Sequence, residues 1–112
     1  MDELEIYLKN KEYYDARELE RILNTKIIIT KKHVQCIANG WGYPYYNNII
    51  NLFEKYGYVF TDNDYISLIC QNGNMLQYIS NDRITNEMCK IAVKQNKTTL
   101  RYVPNDKKHL FI

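Results

Sequence analysis

Histidine, cysteine and paired carboxylates are the side chains here that could support catalysis or hold a metal, and their spacing argues against both. His33 and His109 stand in different parts of the chain with no metal-ligand spacing, and His33 falls at the third helical position after Thr30, where a surface imidazole is expected. Cys36, Cys70 and Cys89 are odd in number and lack CxxC spacing, which speaks against a disulfide framework or a zinc site. Each lies within an apolar helical pattern, where a free thiol is expected to behave as a small buried hydrophobe. Asp62 and Asp64 form a close carboxylate pair, but at a helix start, where negative charge is favoured without any further role. There is no Gly-rich phosphate loop. No catalytic residue, no metal ligand and no cofactor are expected, and the chain reads as a non-enzyme.

Binding residues are easier to find. Gly40-Trp41-Gly42-Tyr43-Pro44-Tyr45-Tyr46 crowds four aromatics into a glycine-bounded connection, and Trp and Tyr are enriched at protein interfaces. Trp41, Tyr43, Tyr45 and Tyr46 are therefore the first candidates for contact with another protein. The alternative class is nucleic acid, contacted by Lys31, Lys32, Lys90, Lys94, Lys97 and Arg101, but a net charge of +2 over 112 residues gives it little general support. The repeated Gln71-Asn72 and Gln95-Asn96 could display one polar pair per unit, although turn geometry explains the asparagines equally well.

Positioning these residues falls to a periodic scaffold. Thr61 to Arg83 recurs as Thr85 to Lys107 at an offset of 24, with seven identical pairs: Thr61/Thr85, Gln71/Gln95, Asn72/Asn96, Leu76/Leu100, Tyr78/Tyr102, Asn81/Asn105 and Asp82/Asp106. Such a period marks stacked supersecondary units. Helix starts follow one rule: Asp15, Thr30, Thr61 and Thr85 are N-cap types, each preceded by an apolar or aromatic residue and followed four positions on by Leu19, Val34, Tyr65 or Cys89, the spacing of a hydrophobic staple. Asp15 with Glu18 has capping-box spacing. Helices are predicted over 15–24, 31–39, 45–56, 62–72 and 86–96, with a first one near 3–10.

Asn72 and Asn96 are expected to close their helices in a left-handed conformation, Gly73 assisting, and Asn74 and Thr98 to start a short second helix in each repeat. Lys26 to Ile29 reads as a short extended linker. The fold class is all-α, a small solenoid-like array of helical hairpins in a single domain over 1–112, with irregular units over 1–60 and regular repeats over 61–84 and 85–108. A solenoid's last apolar face needs a cover. Leu110, Phe111 and Ile112 either fold over it or leave it to pair with a second copy as a homodimer.

No apolar run approaches the length needed to span a bilayer, and the amino terminus, acidic from Asp2 onward, lacks the pattern of a secretion signal. An intracellular location is expected. Asn, Ile, Lys and Tyr supply 49 of the 112 residues, all with AT-rich codons, which points to an AT-rich genome.

The phrase ITNEMCKIAVKQNKTTLRYVP, Ile84 to Pro104, resembles a short helical repeat of unknown function found in giant DNA viruses of amoebae and some intracellular bacteria, of the type C..AV.QNG..L.YVP. Thr85, Cys89, Ala92, Val93, Gln95, Asn96, Leu100, Tyr102, Val103 and Pro104 carry the match, and Thr61 to Ser80 keeps QNG, Leu76 and Tyr78. The resemblance, limited to about 61–107, implies a helical-repeat fold and a viral origin, hence the host cytoplasm or the virion, and no catalytic residue. Together these features lead to the expectation of a non-enzymatic protein-interaction module.

Overall fold

The computed structural model describes residues 2–10, 14–40 and 43–111, at positions 40 and 43–45 through the backbone alone. Among the described residues the chain is all-helical. Six α-helices run in order: α1 (Glu3–Lys9), α2 (Ala16–Leu23), α3 (Lys31–Gly40), α4 (Tyr43–Lys55), α5 (Asp62–Gln71) and α6 (Asn86–Gln95). Three 3-10 helices accompany them: η1 (Gly73–Tyr78), η2 (Lys97–Tyr102) and η3 (Asn105–Leu110). The chain divides into two compact units, Met1–Phe60 and Thr61–Ile112.

In the first unit α1 packs on α2 and α3, and α2 packs on α4. The core takes Leu4 and Leu8 from α1, Leu19 and Ile22 from α2, Val34 and Ile37 from α3, and Tyr46, Ile49 and Phe53 from α4. Phe60 closes it, its ring stacked 6.2 Å from Phe53 and meeting Tyr58 edge-on at 4.9 Å. Gly57, at φ 98°, turns the chain out of α4, and the Tyr58 N–H reaches back 3.0 Å to the Phe53 carbonyl, so a carbonyl of the last turn is satisfied.

Asp15 caps α2 through hydrogen bonds from the Arg17 and Glu18 N–H groups at 2.9 and 3.4 Å. The capping box expected with Glu18 does not form. The Glu18 carboxylate accepts from Arg21 instead, at 2.6 and 3.2 Å, and the Asp15 N–H donates to the Tyr7 hydroxyl at 2.8 Å. A side chain of α1 thus supplies what the local motif would have supplied.

In the second unit the two repeats adopt one conformation. Thr61 and Thr85 cap α5 and α6 by accepting from the Asp64 N–H at 3.2 Å and the Met88 N–H at 3.1 Å. A complete capping box forms at Thr61, whose own N–H donates to Asp64 at 3.0 Å. Tyr65, Leu68 and Ile69 of α5 and Cys89 and Ala92 of α6 are buried between the helices and their 3-10 followers.

Asn72 and Asn96 depart from the expected left-handed closure. Both are extended, at φ −154°, ψ 112° and φ −153°, ψ 112°. Each side chain accepts from the N–H two residues on, Asn74 at 2.9 Å and Thr98 at 3.0 Å, so the asparagines, rather than Asn74 and Thr98, start the second helices. Cys70 is exposed, unlike the buried Cys89 and the half-buried Cys36, because its position at the end of α5 lies off the apolar stripe.

Candidate functional site

The structure gathers one cluster of chemically able side chains, and it lies where the sequence suggested none. His33 is only 2% exposed, contrary to the surface position expected from its place in α3, because α1 packs across that face. Its Nδ1 accepts from the Thr30 N–H at 2.9 Å, so in the neutral ring Nε2 carries the proton and donates to the Asp2 carboxylate, 2.9 and 3.1 Å away. Asp2 also accepts from the Glu5 N–H at 2.8 Å, capping α1 with the carboxylate that holds α3. Glu5 is buried beside them, within 3.3 Å of Lys32 and 3.9 Å of Lys9. Desolvation pushes the Asp2 carboxyl up. Hydrogen bonds from Glu5 N–H and His33, with the charge of Lys32, outweigh that and hold it below the ordinary aspartate value.

Asp2, Glu5 and His33 each bring a potential metal-ligating atom within 4.8 Å of the others. The imidazole is set the wrong way round for that use. A histidine bound to metal through Nε2 must carry its proton on Nδ1 and donate it to an acceptor, whereas here Nδ1 faces a backbone donor. Nor is Thr30 an activated nucleophile: its Oγ1 lies 3.3 Å from Nδ1, but the ring's lone pair is already directed to the Thr30 N–H. The cluster is a clasp between α1 and the start of α3.

A second clasp joins the repeats. The Gln95 side chain accepts from the Gly73 N–H at 2.5 Å and donates to the carbonyls of Cys70 and Ile69 at 2.6 and 3.3 Å. It thereby satisfies the end of α5 and the beginning of η1 together. Gly73 suits this close approach rather than left-handed geometry: a Cβ there would lie 3.1 Å from the Ala92 carbonyl oxygen and 3.2 Å from Gln95 Oε1, so that a neighbour would have to shift by a few tenths of an ångström. Its counterpart in the second repeat is Lys97.

The candidate interaction residues separate sharply. Trp41 and Ile112 lie outside the described residues, as do the side chains of Tyr43 and Tyr45. Tyr46 is 1% exposed and belongs to the core, so it presents nothing to a partner. Leu110 is 44% exposed and Phe111 half-buried. Among the lysines and arginines, Lys32 is engaged with Glu5, and Arg101 lies over the Tyr102 ring at 4.8 Å while donating to its hydroxyl at 2.7 Å. Lys90 and Lys94 are exposed one turn apart on α6, and Lys97, also exposed, opens η2 beyond the extended Asn96.

The most exposed large apolar side chains among the described residues are not among those that residue type singled out. Ile28 and Val59 are 79% and 75% exposed, on two non-helical segments of the first unit. Together Ile27, Ile28, Ile29, Tyr56, Gly57, Tyr58 and Val59 line a groove of about 290 Å³. Three consecutive isoleucines were a visible signal, but linker and surface site look alike until the neighbouring segment is placed.

No helix among the described residues is long and apolar enough to cross a membrane. No curated protein and no solved structure matches the chain. Residues 65–106, within the second unit, match the family model of a domain of unknown function, DUF4116.

Proposed function

We propose that this chain is a non-enzymatic protein–protein interaction module, acting inside cells and derived from a large DNA virus. Ile28 and Val59 carry the reading: two large aliphatic side chains left in water beside an open groove are what a protein partner covers. Trp41, Tyr43 and Tyr45 remain candidates by residue type, and Leu110 with Phe111 offers a smaller apolar edge on the second unit. The three free cysteines support a reducing compartment. The composition and the resemblance of the repeat support the viral origin.

A homodimer through the last repeat is the less favoured partnership. Lys97 stands where Gly73 admits the incoming glutamine, so a second copy reusing the packing that joins the two repeats would meet a tighter fit there. The test is affinity capture from host cells with the natural chain and with the double variant Ile28→Asp, Val59→Asp. Loss of a captured protein in the variant is expected. Undiminished capture would exclude this groove, and specific capture by neither form would count against the module.

One observation favours nucleic acid as a second reading. The second unit carries seven basic and five acidic residues, the first eight of each, so the net positive charge falls on the unit that displays Lys90, Lys94 and Lys97. A gel-shift titration decides it. Binding that weakens steeply with salt supports this reading, since neutralised phosphates release counterions, and no shift at low salt removes it.

A further inference from the structure

Lys26, in the left-handed conformation at φ 64°, turns the chain from α2 into Ile27-Ile28-Ile29, a run outside any helix whose exposure alternates, half-buried, exposed, half-buried, as on an extended backbone. A non-glycine residue there is strained, so the turn is held by its surroundings. None of the three isoleucines, nor Val59, has a backbone hydrogen bond to another described residue. β-Branched side chains on an extended backbone with unpaired N–H and C=O groups form a sheet edge without a sheet. The facing wall is fixed in place: the Tyr56 hydroxyl lies 3.1 Å from both Glu20 Oε2 and Asn24 Oδ1, and Lys55 is ion-paired with Glu20.

The charge along this segment has one sign, and Glu20 beside the facing wall is already taken by Lys55 and Tyr56. From Asn24 to Lys32 the chain carries Lys26, Lys31 and Lys32 and no acidic residue. Lys32 is balanced by Glu5, whereas Lys26 has no ion-pair partner among the described residues. A second copy is therefore a poor occupant. Its own segment carries Lys26 and Lys31 and no acidic residue, so it brings Lys26 no counter-charge.

We infer that the Ile27–Ile29 edge receives an extended strand of a partner protein. That strand is apolar where it lies over Ile28 and Val59 and acidic where it passes Lys26. Main-chain pairing would supply affinity, and the lysine rim would choose the sequence. This rests on the interaction-module reading and gives it a partner chemistry.

The probe is a blocked seven-residue peptide alternating Val and Glu, titrated into the isotopically labelled full chain and followed by amide resonances. Expected are shifts at Ile27, Ile28 and Ile29 with slowed amide exchange at alternate positions, since successive N–H groups of a strand face opposite sides, and the Val/Lys counterpart should bind about tenfold more weakly or worse. Ile28→Asp, at an exposed position, should abolish binding, and Lys26→Glu should reverse the preference between the two peptides. A peptide methylated on every amide nitrogen should not bind. Equal binding of the Val/Glu and Val/Lys peptides, or of the methylated and parent peptides, overturns the inference. So does loss of partner capture in the Ile28→Asp, Val59→Asp variant when no peptide binds, an outcome that leaves the module standing. Peptide binding at these amides without any partner captured upholds the edge and removes the module.

Discussion

The two copies of the 24-residue repeat share a backbone and differ in what their glutamines do. Asn72 and Asn96 agree to within a degree in φ, and both begin a 3-10 helix in the same way. Yet Gln95 makes three hydrogen bonds to the preceding repeat, while Gln71 is exposed and makes none to other described residues. Twenty-two residues before Gln95 stands Gly73, whereas twenty-two before Gln71 stands Ile49. Identical residues thus form a junction only where a second position, 22 residues away, has made room for it. The repeated Gln-Asn pair is scaffold chemistry in the copy where its partner exists.

The largest test of that contrast is Gly73→Leu against Lys97→Leu. The first puts a side chain against the Ala92 carbonyl and displaces Gln95, and should lower unfolding free energy by about 3 kcal/mol in urea melts. The second, at an exposed site, should stay within about 0.5 kcal/mol. Equal costs would dissolve the asymmetry.

Next comes Gln95→Ala, which leaves the buried Gly73 without its acceptor and should cost about 1–3 kcal/mol, against about 0.5 kcal/mol or less for Gln71→Ala. Thr61→Ala and Thr85→Ala should each cost about 1 kcal/mol by thermal melting. Thr61 should be the costlier, because its substitution also strips the buried Asp64 of half its box.

The smallest effect separates the clasps of the two units by their charge. The Gln95 clasp is neutral, whereas Asp2 in the first unit is ionised and sits below its ordinary value. A depressed carboxyl contributes stability above its unfolded value and loses it as pH falls through the folded one. The first unit should therefore weaken below about pH 4, and Asp2→Asn should flatten that limb. A urea midpoint followed from neutral to acid pH in both forms measures it, and an unchanged limb in the variant would assign the acid loss elsewhere.

Much of the fold is legible along the chain because its signals are local. A cap reaches two or three residues, and a core stripe repeats at three and four. Asp15, Thr61 and Thr85 therefore mark their helices correctly, and Gly57 marks the end of α4. The same locality misled at Glu18 and at His33. Glu18 has the spacing for a box but a better partner in Arg21, and His33 has a surface position on its own helix that α1 covers. Tyr46 misled likewise, since residue type marks it for an interface and packing of α4 takes it inside.

The all-helical class and the starts of α2, α5 and α6 could be read from the sequence because each rests on residues within about four positions of one another, and the 24-residue period because it is a direct repetition of residue types. Tertiary structure alone decided that Asp2 closes on His33, 31 residues away, that Gln95 closes on Gly73, 22 away, and that Ile28 and Val59 line one groove. Chain separation carries no signal of its own. Only packing decides which distant groups are shut away from water together, and which are left facing it.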